Sequence, residues 1–272
     1  MLSWLTGWTG SRPLGLARVV LGGAAMVRAV VALPVLVDLT RRETLLAPYA
    51  EWTPQPSLTL IAFIAGLWLL SAMLFTLGWR VPLSGSALML ALVAILGIDQ
   101  QTYSNHIYLM LWLVGLMVLA DAGAGMSIRG ADRPVVRWPL LLLKFQLSVV
   151  YVFAALTKIN DDFLSGEILA GSLGTGIVPF PESLRTPVFL SILAGIAVIV
   201  EFAVGTLIWH RRYRFLAFAL GLGFHLAIPL SMQPTAELVV FSLEMLALYP
   251  LFLDSERLAV GVPDGYPISV AQ

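Results

Sequence analysis

The sequence predicts an all-α, polytopic integral membrane protein, a helix bundle with about eight transmembrane helices. Three observations predict it. Hydrophobic residues make up 59% of the 272 positions and charged residues only 12%, against about 25% charged in a soluble domain. The mean hydropathy is +0.90. Several apolar runs approach or pass the roughly 20 residues needed to cross a ~30 Å hydrocarbon core.

The expected spans, in order, are Leu14–Asp38, Leu58–Trp79, Leu83–Ile98, His106–Asp121, Trp138–Lys158, Pro187–Trp209, Phe215–Met232 and Ala236–Leu253. The third is short, and the pair around Asp99–Asn105 has one broken element as its alternative, which gives a range of roughly seven to nine spans. Residues 1–253 then form the membrane domain, and 254–272, with the turn-rich VPDGYP, a short cytoplasmic C-terminal tail. Met1–Gly10 carries no basic residue, and Trp4 and Trp8 read as an interfacial belt rather than a signal peptide, so the first span is expected to be retained. Nine arginines of the connections and termini fall on the side of both termini: Arg12, Arg80, Arg129, Arg133, Arg137, Arg211, Arg212, Arg214 and Arg257. Only Arg41, Arg42, Lys158 and Arg185 fall opposite. That excess places both termini in the cytoplasm. The connection Asn160–Thr186 is too polar to span and too apolar to float, so an interfacial helix or re-entrant cap is expected. Its GSLGTG run matches no phosphate-binding loop.

Sixteen basic and sixteen acidic residues balance, which removes any electrostatic case for nucleic acid. The chain has no cysteine, so disulfides, thiol nucleophiles and thiolate metal sites are excluded. With three histidines, no metal is expected.

The polar residues of the spans are the candidates for chemistry. Lys144, Ser148, Tyr151, Ala155 and Lys158 share one face of the fifth span. A polar stripe in lipid faces the bundle interior or a wet cavity. Lys158 then reads either as a snorkelling anchor or as a poised base, because an amine taken out of water is easier to deprotonate. His106 opens the fourth span among Tyr103, Asn105 and Tyr108, an interfacial cluster that could also hydrogen-bond a substrate oxygen. His225 lies inside a span and calls for a partner. Arg28, Glu201 and Glu244 are also intramembrane; a register-holding pair of Arg28 with one glutamate is the simplest account, and a proton path the sharper one. Asp38, Asp99 and Asp121 lie at span ends and are expected to be solvated.

Taken together, SNHIYL, then VYVFAALTKINDDFLSGEIL, then FHLAI before a last apolar helix, resemble the HTTM domain, chiefly over Gln101–Leu253. This is the membrane domain of vitamin K-dependent γ-glutamyl carboxylases and their bacterial relatives. The resemblance implies Lys158 as the base that deprotonates a reduced quinone of the vitamin K hydroquinone type. It implies His106 as the group that steadies the quinol oxygen, with Asn105 and Tyr108 beside it. Tyr151 and His225 join the substrate-binding set. Oxygen then drives epoxide formation, and the strong base so generated removes a glutamate γ-proton before carbon dioxide adds. The bacterial relatives imply an inner (plasma) membrane location, contact with membrane lipid, and a peptide or protein substrate. The carboxylases have a large lumenal region after the membrane domain, whereas only Asp254–Gln272 follows the last span here. A non-catalytic maturation or binding factor for a peptide partner is therefore the alternative. A small proton-coupled transporter using Lys158, His225 and Glu201 or Glu244 is the third reading.

Overall fold

The computed structural model describes residues 5–233 and 235–253. Trp4, Arg257 and the expected tail 254–272 lie outside the described residues. The chain divides into two compact units, Met1–Leu143 with Leu253–Gln272, and Lys144–Phe252.

The first unit is built from α1 (Arg12–Asp38), α2 (Leu58–Thr76), α3 (Val81–Ile98) and α4 (Asn105–Leu119), each packed on the next, with α1 also touching α4. Their starts follow local chemistry. Pro13 and Pro82 occupy first-turn positions, where the missing N–H has no partner to lose. Ser57 and Ser104 cap α2 and α4 by accepting from Leu60 N and His106 N. A two-residue strand β1 (Trp8–Thr9) pairs antiparallel with β2 (Val135–Val136).

At one end of this unit the centre is Arg18, fully buried in α1. Its guanidinium donates to the carbonyls of Ala122, Gly125 (2.9 Å), Met126 (2.7 Å) and Thr76 (3.4 Å). Buried carbonyls left unbonded are costly, so one side chain holds the 122–126 turn against α1 and the end of α2. Outside the span, Arg12 bonds Asp132, which also accepts from Met126 N. At the other end lies a correction. Asp99 is not solvated but 1% exposed. It accepts from Ala47 N at 2.8 Å and Gln101 N at 2.9 Å, tying the α3–α4 connection to the 45–48 segment. A span-end carboxylate reads as solvated only when no backbone N–H is aimed at it.

The second unit takes up α5 (Arg137–Thr157) from Lys144 onward. It continues with short α6 (Asp161–Leu164) and α7 (Glu167–Ser172), then α8 (Pro187–Leu207), α9 (Arg214–Ser231) and α10 (Ala236–Ala247). A 3₁₀ turn, Tyr249–Phe252, follows α10. The connection expected as an interfacial helix or re-entrant cap forms α6 and α7, which lie on α8 around a small core of Phe163, Leu169, Leu173, Leu190 and Ala194. Gly166 joins them at φ +83°, and a Cβ there would meet Leu190 backbone at 2.6 Å, so only glycine fits. The GSLGTG run and the two residues after it have a structural use. Backbone N–H groups of Gly174, Ile177 and Val178 donate to the carbonyls of Ser231, Pro229 and Leu230. These are the last carbonyls of α9, which no helical N–H can reach.

Among the described residues six helices, α1, α2, α3, α5, α8 and α9, are long and apolar enough to cross a membrane. The fourth and eighth expected spans form shorter helices of 15 and 12 residues, about 22 and 18 Å long. Large apolar side chains on the spans face outward, among them Phe63, Phe145, Val188 and Ile199 at 61–72% exposure. An integral membrane protein puts them in lipid.

Two outcomes follow. Arg18→Met leaves four carbonyls unbonded and should cost about 2–4 kcal/mol, read as a lowered thermal midpoint in detergent; an unchanged midpoint would contradict the role. The Arg12 bond holds the Asp132 carboxyl below its ordinary value of 3.8. Its contribution is complete above that pH and fades as pH falls further. The pair is partly exposed, so the contribution is at most about 1 kcal/mol. Asp132→Asn should remove this component of acid destabilisation, seen in midpoints measured from pH 7 to 3.

Candidate functional site

Within the second unit, α5 and α8 run antiparallel and in contact. Gly205 of α8 lets them close up: a Cβ there would lie 3.0 Å from Val152 and 3.2 Å from the Ser148 carbonyl. Trp209 Nε1 donates to Ser148 Oγ at 2.7 Å. Farther along, where α5 ends, Lys158 reaches α8. Its Nζ donates to both carboxylate oxygens of Glu201, at 2.8 and 2.7 Å, and to the Ala154 carbonyl at 3.3 Å. The ring of Phe163 on α6 lies 5.8 Å away. The Lys158 side chain is 27% exposed and that of Glu201 only 6%. The amine is the open member of the pair and the carboxylate the closed one.

Sequence reasoning did not single out this pairing. It offered Glu201 or Glu244 as a partner of Arg28 and grouped Lys158 with either glutamate only in the transporter reading, whereas Glu201 is taken by Lys158, 43 positions away. No local pattern marks such a contact, although a lysine at one span end and a glutamate inside the next could have been matched by depth.

A second polar centre lies deeper. The Tyr151 hydroxyl is 2.7 Å from His225 Nε2 and 2.7 Å from the Tyr249 hydroxyl. His225 Nδ1 is 3.1 Å from Ser242 Oγ, and that hydroxyl donates to the Leu238 carbonyl at 2.8 Å. Serine has one proton, so Ser242 accepts from Nδ1–H. The imidazole then accepts at Nε2 from Tyr151, and Tyr151 accepts from Tyr249. The chain has one direction and ends on backbone. Tyr151, His225, Ser242 and Tyr249 are all buried, and together they join α5, α9, α10 and the following turn. The partner expected for His225 is therefore Tyr151, also a predicted site residue. Ser242 and Tyr249 were not foreseen. Neither Lys158 nor Glu201 bonds to a member of this chain.

Asn105, His106 and Tyr108 lie in the first turn of α4, in the first unit. His106 is half-buried, Asn105 and Tyr108 are exposed, and the Tyr108 ring is edge-on to Trp112 at 6.2 Å. Among the described residues no cluster of three His, Cys, Asp or Glu could hold a metal ion.

Apolar spans enclosing a lysine–glutamate pair and a buried tyrosine–histidine chain define a polytopic integral membrane protein with a constructed polar interior. The chain belongs to the HTTM domain family, which it matches over residues 9–256, so the likeness extends through the first spans as well. No curated protein and no solved structure matches it.

Tyr151→Phe strands His225 Nε2 and the Tyr249 hydroxyl in a dry interior. It should lower stability by about 1–3 kcal/mol, with Ser242→Ala acting in the same direction. The outward-facing Phe153→Leu should change little. Thermal unfolding in detergent compares the three; equal midpoints for Tyr151→Phe and Phe153→Leu would refute the chain's structural role.

Proposed function

We propose that this protein is a membrane enzyme related to the vitamin K-dependent γ-glutamyl carboxylases. In this reading Lys158 is the base toward a hydroxyl of a reduced quinone or a similar lipid-soluble substrate. The observation that carries it is the Lys158–Glu201 contact: an amine partly open at the end of a span, held by a carboxylate that is itself closed off. Such a pair suits a flat, weakly acidic diol. The amine is reachable from lipid past the exposed Leu156 and Ile159, and Phe163 offers an aromatic surface beside it. A reduced vitamin K-type quinone, when bound, supplies that hydroxyl and the oxygen-dependent chemistry.

The chain's own residues divide the work. Lys158 receives the hydroxyl proton, and a phenol-like hydroxyl with a reference pKa of about 10 is within reach of a neutral amine. The resemblance assigns His106 of the first unit, with Asn105 and Tyr108 beside it on α4, a hydrogen bond to a substrate oxygen. Tyr151 and His225, bonded to each other, set the shape of the wall behind α5. Both termini face the cytoplasm in this reading, and the site faces the outer leaflet of a bacterial inner membrane. A peptide or protein is the acceptor.

A second reading rests on the same contact. A two-oxygen clasp on a lysine also pins α5 to α8 in register, which is all that a non-catalytic maturation or binding factor would need.

One experiment separates them. Purified protein in lipid is given oxygen and a panel of reduced naphthoquinones, and mass spectrometry follows quinone epoxide. Wild type should form epoxide, and Lys158→Ala should lose about 10²-fold or more of the rate, with a smaller loss in His106→Ala. No lysine-dependent epoxide from folded protein across the panel would sink the enzyme reading and leave the binding factor.

A further inference from the structure

We propose that Glu201 is the proton-holding partner of Lys158, so that the two residues accept a proton as one unit while the charge in the membrane stays constant. The inference rests on the reading of Lys158 as a base, and deepens it.

The geometry poses the problem. Nζ faces three acceptors, both Glu201 oxygens at 2.7–2.8 Å and the Ala154 carbonyl at 3.3 Å, the set that the three N–H groups of an ammonium satisfy, and an ammonium has no lone pair with which to take a proton. Its neighbours narrow the solution. Ala154 O is a carbonyl that only accepts a hydrogen bond. Tyr151 is committed to His225 and Tyr249. Asp161 and Asp162 on α6 are exposed. Glu201 is the one basic group in contact with the amine.

The step then balances. An N–H bond of Lys158 breaks as an O–H bond forms on Glu201, giving amine and carboxylic acid. The substrate O–H breaks as a new N–H forms on Lys158. At the end Lys158 is again an ammonium, Glu201 is an acid, and the negative charge sits on the substrate oxygen. One cation and one anion are present before and after; the ammonium has exchanged its counter-ion. Creating a fresh ion pair in a medium of low dielectric carries the desolvation cost of both ions, and exchanging one avoids most of that. The closed position of Glu201 is what this role requires, because a carboxylic acid is the form that burial favours.

The test uses the full chain in lipid with an alkyl naphthol carrying one hydroxyl, which partitions into the bilayer and stays protonated there at neutral pH. Ultraviolet absorbance reports naphtholate, and infrared difference spectra report a carboxylic acid C=O band. Wild type should show both together, in equal amounts. Glu201→Gln should lose the acid band and form about tenfold less naphtholate, one pKa unit. Glu201→Asp, which keeps a carboxylate, should retain the band, and guards against a folding defect in the glutamine variant. Lys158→Met should show the acid band before any naphthol is added, with no further change on addition. Naphtholate in wild type without an acid band would overturn the role of Glu201 and leave Lys158 as base. No naphtholate at saturating naphthol in folded wild type would overturn both.

Discussion

The charge of Lys158 at the end of an apolar helix is met by Glu201, whose own carboxylate is closed off inside the unit. A lone ion buried there would be costly by any scale. Much of the second unit is arranged around this contact. Gly205 brings α8 close to α5, Trp209 fixes the same two helices through Ser148, and Phe163 of α6 covers the amine. A shift of one helical turn, about 5.4 Å, between α5 and α8 would break the Lys158–Glu201 and Ser148–Trp209 contacts at once. The pair therefore sets a register that the loops cannot set.

The absence of water in lipid explains the irregular segments. Where a helix ends inside or near lipid, its last carbonyls need donors. The 173–178 segment supplies them to α9 through three backbone N–H groups. Arg18 supplies them to the 122–126 turn through a single guanidinium. Asp99 does the reverse, offering a carboxylate to backbone N–H groups. All three solve one problem, and which residue type appears depends on whether carbonyls or N–H groups are in surplus.

Such solutions mark the limit of what the sequence revealed. The helical bundle was legible because hydropathy is a property of each segment by itself. The stripe that includes Tyr151 and Lys158 was legible because helical spacing places both on one face of α5. The cap after Lys158 was legible from its intermediate polarity. What was not legible depended on contacts across the chain: Glu201 on Lys158, Ser242 and Tyr249 on the His225 centre, and Asp99 on Ala47. Arg18 escaped attention for a related reason. An arginine in an apolar run looks like a charge to be paired, yet here its partners are carbonyls, which carry no mark in a sequence.

The choice of cation at position 158 is itself an argument. The chain has fourteen arginines and two lysines, and where it needs a permanent positive clasp it uses arginine. Arg18 grips carbonyls, and Arg12, Arg133 and Arg185 pair with Asp132, Asp121 and Glu182. Arginine is the better clasp for a carboxylate, since its planar fork matches both oxygens and it stays charged in proteins. The Glu201 carboxylate is held by both oxygens, the geometry that guanidinium serves best, and yet the residue holding it is a lysine. A pin between α5 and α8 gives no reason for that choice. The proposed role, in which the group gives up a proton and takes another, does, because an amine can do so and a guanidinium cannot.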